Sequence, residues 1–447
     1  YYFTLGLMKI FLASIILIML SSCSFDNKTG IWENSSESTV EKEKTFKDFE
    51  TLYTKTQSFN SIVKLKDNLE INLDPVKSNL KWTDEYYNSS NNLENFSYKD
   101  LNKLVFKSKR LSRYKTKDRI LYDSQKVIAT DDKGNVIVYS IENQQIILKY
   151  NFYKKKFREI KNNLNIISES NIIYVADNLG YLYALDYINE RLLWAKNYKI
   201  PFRSNLKIIG KKLLIADINN SLYFINKADG EKLKIIPTEE TVIKNNFFNS
   251  LASIEDSLFY LNTYGSLYSI DSRRAVKWFI NLNQSLDINP SNLFYSNPIV
   301  LHREKIIVST DLYLYILDSD TGSTFFKIAI TSLLQPIVSG KNLFLITKDN
   351  LLVCINLDTG EIMYSEDISQ NIANFLDTKK KTIYIKSLVI VNNDLFLFLN
   401  NSYLVKFSLN GKIKNIHKLP PKLRSFPLFI NDSIVYLNDK NKLIILN

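Results

Sequence analysis

One short pattern recurs eight times after residue 118, and that recurrence constrains the fold more than anything else in the chain. Each copy is a strand of type Leu-Tyr-x-hydrophobic-Asp, preceded by a hairpin and followed by a turn and a further strand. The clearest copy runs Ile172-Ile173-Tyr174-Val175-Ala176-Asp177, Gly180, then Tyr181-Leu182-Tyr183-Ala184-Leu185-Asp186. Close copies begin at Leu222, Leu267, Leu314 and Leu352, and weaker ones at Val138, Leu404 and Leu443. Taken at the Tyr position, they lie 38 to 52 residues apart. Four short strands per period of that length are the signature of radially arranged blades. A solenoid needs a shorter period, and a two-sheet sandwich does not produce eight copies. The expectation is an all-β, eight-bladed propeller of four-stranded antiparallel blades.

The local chemistry agrees. Ile299–Val308 and Ile337–Ile346 are paired apolar runs around tight polar turns. Pro298, Pro336 and Pro427 stand just ahead of a blade's first strand, where a missing donor costs little. Tyr and Phe dominate an aromatic content of 13%, a mix that favours strands. With 11 Gly and 9 Pro, many turns fall to Asn, Asp, Ser and Lys.

The ends suggest how the ring closes. The eighth unit stops after its third strand, so its outer strand has to come from elsewhere. Asn79-Leu80-Lys81-Trp82 resembles the fourth strands, which end in an aromatic as in Leu192-Leu193-Trp194. Residues 79–83 are therefore expected to close the last blade, with 84–118 as an Asn- and Lys-rich crossing loop and 79–447 as the propeller domain.

Upstream, Met8-Lys9 and the apolar run Ile10–Leu20 are too short to cross a bilayer and suit an export signal over residues 1–22. Leu20-Ser21-Ser22-Cys23 resembles a bacterial lipobox, which implies lipidation at Cys23. Residues 23–78 read as a polar tether. Within it, Ser38 with Glu41 and then Phe46, Phe49 and Tyr53 fit a short helix, either transient or docking a partner.

The formal charge of +12 is spread over turns and tether rather than massed in one stretch, which favours a generally basic surface over a nucleic-acid site. With only two histidines, His302 in a hairpin turn and His417, a zinc or His-based catalytic site is disfavoured. Cys354, among apolar neighbours, reads as a buried thiol. The sequence contains no phosphate loop, nucleophile elbow or calcium loop. No catalytic residue, metal or cofactor is expected.

The turn after the Tyr strand carries a family resemblance. Ala184-x-Asp186-x-x-Asn189-Glu190-x-x-x-Trp194 resembles the quinoprotein-type repeat, and Asp318-x-x-Thr321-Gly322 with Phe326 and Asn356-x-x-Thr359-Gly360 with Tyr364 resemble it more loosely. These residues shape a turn and dock an aromatic between blades, so they report fold. Quinone-dependent dehydrogenases share such repeats, as does BamB, the propeller lipoprotein of the outer-membrane β-barrel assembly machinery. Lipobox, tether and compact ring together resemble BamB. That resemblance implies a non-enzymatic periplasmic scaffold, monomeric within a complex, anchored in the outer membrane or retained in the inner one. Its implied partner is the POTRA domains of the barrel-inserting subunit.

The family's Leu-x-Leu-Arg loop between the second and third blades is matched by Ile200, Phe202 and Arg203, which the resemblance makes partner-binding. The same stretch also reads as a linker with Phe202 packed between blades. In the next inter-blade loop, where the family places acids, this chain has Phe247 and Phe248. The alternatives are a quinone-dependent dehydrogenase and a propeller that binds anionic glycolipid or cell-wall polymer.

Overall fold

The computed structural model describes residues 23–25, 32–34, 59–65, 71–153, 161–241, 248–271, 273, 275–283, 294–379 and 382–447. Residues 1–56 and 57–447 are separate compact units. In the first, Cys23–Phe25 pairs antiparallel with Trp32–Asn34, within the stretch expected to be tether. The proposed helix at 38–55 lies outside the described residues.

The second unit is an eight-bladed propeller. Its blades span residues 121–151, 164–197, 207–236, 250–281, 300–328, 337–367, 385–418 and 428–446, each an antiparallel meander. Both faces of a blade are covered by neighbours, so the middle strands read as continuous apolar runs rather than alternating ones. Alternation survives in which neighbour a residue meets. In blade 2, Val175, Tyr183 and Leu185 pack toward blade 1, while Tyr174, Ala176, Leu182 and Ala184 pack toward blade 3. The core is thus a set of apolar layers between blades.

The repeat's aromatic and turn residues meet across those layers. Trp194, Trp278, Phe326 and Tyr364 each lie over the turn of the next blade, at residues 230, 322, 360 and 411. The Trp194 and Trp278 indoles donate to Lys227 O at 3.1 Å and Ser319 O at 3.2 Å. At Gly360, φ is +71° and a Cβ would stand 2.5 Å from Phe326, so both backbone and space demand glycine. Asp318 holds the equivalent turn in blade 5, its Oδ1 accepting from Thr321 N at 2.7 Å.

Ring closure is as expected in kind but not in residues. The outer strand of blade 8 is Leu104–Arg110, paired with Lys442–Leu446; the expectation for residues 79–83 is corrected. Phe106 takes the aromatic position and meets Tyr139 of blade 1 at 6.3 Å. Residues 79–83 misled because Leu-Lys-Trp imitates an outer strand, but Trp82 is fully buried and lies at the axis. The stretch 84–118 is correspondingly not one crossing loop, and part of the expected tether also belongs to the propeller. Phe59 N donates to Ala329 O at 3.0 Å, and Ser365 N donates to Val63 O at 2.9 Å.

From Lys77 to Tyr98 the chain forms a rope that circles the axis and bonds to the first strand of every blade in turn. Asn79 accepts from Asn431 N of blade 8 at 2.9 Å, and Trp82 exchanges two 2.7 Å backbone bonds with Tyr122 of blade 1. Thr83 O accepts from Ser168 N of blade 2 at 2.9 Å. In blade 3, the Lys207 ammonium donates to Asp84 at 2.6 Å and to Asn88 O at 2.8 Å. Ser89 O and Ser90 O accept from Ser253 N of blade 4 at 2.8 Å and Leu301 N of blade 5 at 2.9 Å. Asn91 bridges those same blades, donating to Leu251 O and Ile299 O, both at 2.9 Å. The Asn92 amide makes a two-way pair with Val338 of blade 6, at 2.8 and 3.0 Å. Asn95 and Phe96 end the circuit in parallel register with Ile390 and Val391 of blade 7. An asparagine amide offers both donor and acceptor, which suits a strand edge that alternates N–H and C=O.

Lys207 and Asp84 are about as buried as charges become, at 1% and 6% side-chain exposure. Burial pushes the Lys207 pKa down, and Asp84 opposes that shift. Removing one partner strands the other charge. Asp84→Asn should therefore lower the unfolding free energy by about 3 kcal/mol, whereas adding Lys207→Met should recover most of the loss. Urea unfolding of single and double variants checks this, and equal stability of all three proteins would contradict it. By the same method Gly360→Ala should cost about 2 kcal/mol through strained φ and the Phe326 clash; an unchanged midpoint would contradict that.

Candidate partner-binding face

Two rims differ sharply in charge. The lower rim carries the turns between first and second strands, and its cavities are balanced. One of about 750 Å³ sets Lys77, Lys81 and Lys207 against Asp84, Glu94 and Glu169. The upper rim carries the connections leading into each blade. There a cavity of about 830 Å³ is lined by six cations, Lys115, Lys117, Lys161, Arg203, Lys386 and Arg424, against two acids, Asp118 and Asp132. The described lining thus carries a clear positive excess.

The local fold explains the clustering. Lys117, Arg203 and Arg424 each lie four residues before the first strand of their blade, at Leu121, Lys207 and Leu428. Equivalent repeat positions converge at the axis, so three distant cations become neighbours of one space. Arg424 is held by Asn441 Oδ1 and Thr116 O, and burial pushes its pKa down. Lys386 is bridged to Asp118 at 2.7 Å.

Lys117 donates to Leu164 O and, at 3.3 Å, to Asn165 Oδ1. Burial pulls its pKa down to about 8, with Glu85 of the rope opposing the shift. Burial in turn pushes the Glu85 carboxyl up, although Lys117 and the Ile166 N–H work against that. Nearby, the Arg119 guanidinium lies 4.2 Å from the Phe426 ring and 5.0 Å from that of Tyr86.

The residues singled out from the sequence fall in this region unequally. Ile200 is half-buried, its backbone pressed against Gly180. Phe202 is only 5% exposed and packs edge-on against Tyr198 at 5.4 Å and Tyr223 at 5.7 Å, which matches the linker reading of this stretch. Arg203 is buried, donating to Ile218 O at 3.4 Å and Thr263 Oγ1 at 3.3 Å, and burial lowers its pKa. Both side chains nonetheless line the cavity. Phe248 is half-exposed on the same wall, and also borders a smaller cavity of about 190 Å³ that reaches Tyr86. Phe247 lies outside the described residues. His302 sits on the lower rim, its Nε2 3.1 Å from Gly340 O, and His417 lies on an outer strand. Cys354 is buried in the core, which pushes its thiol pKa up. Lys117, Arg119, Lys386 and Arg424 were missed; a cation four residues ahead of the first strand in blades 8, 1 and 3 is a pattern that aligned repeats display for Lys117 and Arg424, whereas Arg119 and Lys386 fall outside it.

A quinone with calcium, as the repeat type implies, does not fit this axis. The space beneath the cavity is taken by the rope, where Trp82 packs against Tyr87 at 4.7 Å, Phe96 at 5.6 Å and Phe426 at 5.9 Å. The rope's acids are engaged: Asp84 by Lys207, and Glu85 by the Ile166 N–H at 3.1 Å. Among the described residues no three His, Cys, Asp or Glu side chains gather as metal ligands, and a calcium site needs six or more oxygens.

The Lys117 environment can be checked directly. Its side-chain ¹³Cε signal, assigned by loss in Lys117→Arg, should titrate near pH 8. A midpoint above 10 would contradict the burial described.

Comparison with known proteins follows the same line. An uncharacterised protein of Rickettsia conorii is 22% identical over 379 residues, 79% of this chain and 88% of its own length. The crystal structure of BamB from Moraxella catarrhalis superposes with a TM-score of 0.60 at 14% identity, over 77% of this chain and 99% of that one. A europium-containing methanol dehydrogenase superposes at 0.56 with 10% identity, over 82% and 89% of the two chains. At such identities the two structures share the fold alone, and an enzyme is among its users. The family profile described as outer membrane protein assembly factor BamB matches residues 109–366, more than half of a chain whose eight blades, closing strand and inter-blade aromatics are now in view, and the chain belongs to that family.

Proposed function

We propose that this protein is a non-enzymatic scaffold of the outer-membrane β-barrel assembly machinery, holding the POTRA domains of the barrel-inserting subunit on its upper rim. Family membership carries the reading. The rope supports it, because a channel packed with Trp82, Tyr87 and Phe96 leaves the rims as the working surfaces. An exposed aromatic beside buried cations, as at Phe248, is the composition of an interface anchor. The partner loop then comprises Ile200, Phe202 and Arg203, with Phe247 and Phe248 supplying apolar contact where relatives use acids. In this reading Cys23 carries the lipid that anchors the propeller to the outer membrane on its periplasmic side, and the propeller works as a monomer within the complex.

The structure decides which variant tests the contact. Arg203 is buried and hydrogen-bonded, so reversing its charge would also disturb the blade. Phe248 is half-exposed and can be changed cleanly. Affinity purification from membranes should bring down a barrel-assembly subunit. Phe248→Glu should reduce that yield about tenfold, corresponding to ~1.4 kcal/mol, with thermal unfolding unchanged. No such subunit with the wild-type chain would sink the scaffold reading, and undiminished capture by Phe248→Glu would remove this wall from the contact.

The methanol dehydrogenase likeness sustains one rival, a quinone enzyme. Quinone, calcium, an alcohol and a dye acceptor should give no turnover; dye reduction dependent on all three would overturn the non-enzymatic assignment.

A further inference from the structure

The upper cavity differs from an ordinary basic surface in three respects. It is blind, because the rope that circles the axis beneath it bonds to all eight blades and packs Trp82, Tyr87 and Phe96 together with Phe426 in the space below. Whatever enters must leave by the same mouth, which suits a chain terminus or a loop and not a threaded polymer. It is also two-sided. Blades 3 and 4 give it a mainly apolar wall of Pro201, Phe202, Ile218 and Phe248 with the buried Arg203 among them, whereas blades 7, 8, 1 and 2 give it Lys386, Arg424, Lys115, Lys117 and Lys161 against Asp118 and Asp132. Finally, the lower-rim cavity of comparable size shows no such excess, so the charge is local to this mouth and not a sample of the chain's overall basicity.

Resting on the scaffold reading, we propose that this cup seats an acidic segment of a polypeptide partner. Its carboxylates meet the cations of blades 8, 1 and 2, and its apolar side chains lie on the wall of blades 3 and 4. Burial holds several of the cations in place before binding: Lys117 and Arg424 are fixed by backbone and amide oxygens, so little side-chain freedom remains to be lost. Lys115 and Lys161 are exposed at the lip and set the approach and the salt dependence. A nucleic-acid backbone needs a groove along which cations track successive phosphates, and a closed cup provides none. A flat anionic membrane cannot reach into it.

The test uses the full-length chain and a labelled peptide of five Glu-Glu-Leu-Glu units. Wild type should bind it with a dissociation constant that rises steeply with salt. Lys115→Glu with Lys161→Glu should weaken binding at least about tenfold, or ~1.4 kcal/mol, with unchanged thermal unfolding. The control pair Lys99→Glu with Lys232→Glu, exposed elsewhere, should stay within about twofold, since long-range fields are screened. Equal affinity in the lip variant overturns the proposal. So does equal binding of the Gln-for-Glu peptide, or binding of phosphatidylglycerol vesicles through these lysines with no binding of the peptide. The assay contains no partner protein. Peptide binding without co-purification of a barrel subunit therefore sinks the scaffold reading alone, and co-purification without peptide binding sinks the cup alone.

Discussion

Eight first strands facing a common axis present eight inner edges of backbone N–H and C=O groups, and those groups must be bonded to something. Here they are bonded to the protein itself. The stretch from Asn79 to Phe96 visits blades 8, 1, 2, 3, 4, 5, 6 and 7 in sequence, using backbone groups where strands align and asparagine amides where they do not. Every other property of the molecule follows from that choice. The rope couples blades that are far apart in sequence, so loosening one inner strand disturbs its neighbours. It buries a lysine that only Asp84 makes tolerable. It also packs the axis, and leaves a basic cup on the upper rim and a charge-balanced cavity on the lower one.

That arrangement links stability to function through exclusion. A propeller with an open channel can hold a cofactor at the axis; here Trp82, Tyr87, Phe96 and Phe426 pack against one another in that space. The upper rim gains its character from the repeat. A cation four residues ahead of the first strand is unremarkable in one blade, but in blades 1, 3 and 8 it falls on the same small circle. Radial symmetry turns a sequence period into a local field.

The blades were legible because their signals are local. Two-sided burial writes apolar runs, and the turn after the Tyr strand needs Asp, Thr and Gly in fixed order, so both survive in a single sequence. The aromatic docking of Trp194, Phe326 and Tyr364 was legible for the same reason. The rope was not. Asn88-Ser89-Ser90-Asn91-Asn92 reads as a polar loop, since nothing in its order reveals that its partners lie at residues 251, 299, 301 and 338. Trp82 and Phe106 both follow apolar residues and a strand-like spacing, and only the pairing of Leu104–Arg110 with the last strand distinguishes them. The linker reading of Phe202 was available from sequence; its burial between Tyr198 and Tyr223 required three chain segments to be placed at once.

Amide hydrogen exchange along the inner edges tests the rope most directly. The N–H groups of Ser168, Ser253, Leu301, Val338 and Asn431 point away from their own blades and are protected only by residues 79–92. They should exchange as slowly as amides of the middle strands, opening only with global unfolding. Exchange at these five positions at the rate of exposed loop amides, while the middle strands stay protected, would show an open channel and contradict the account.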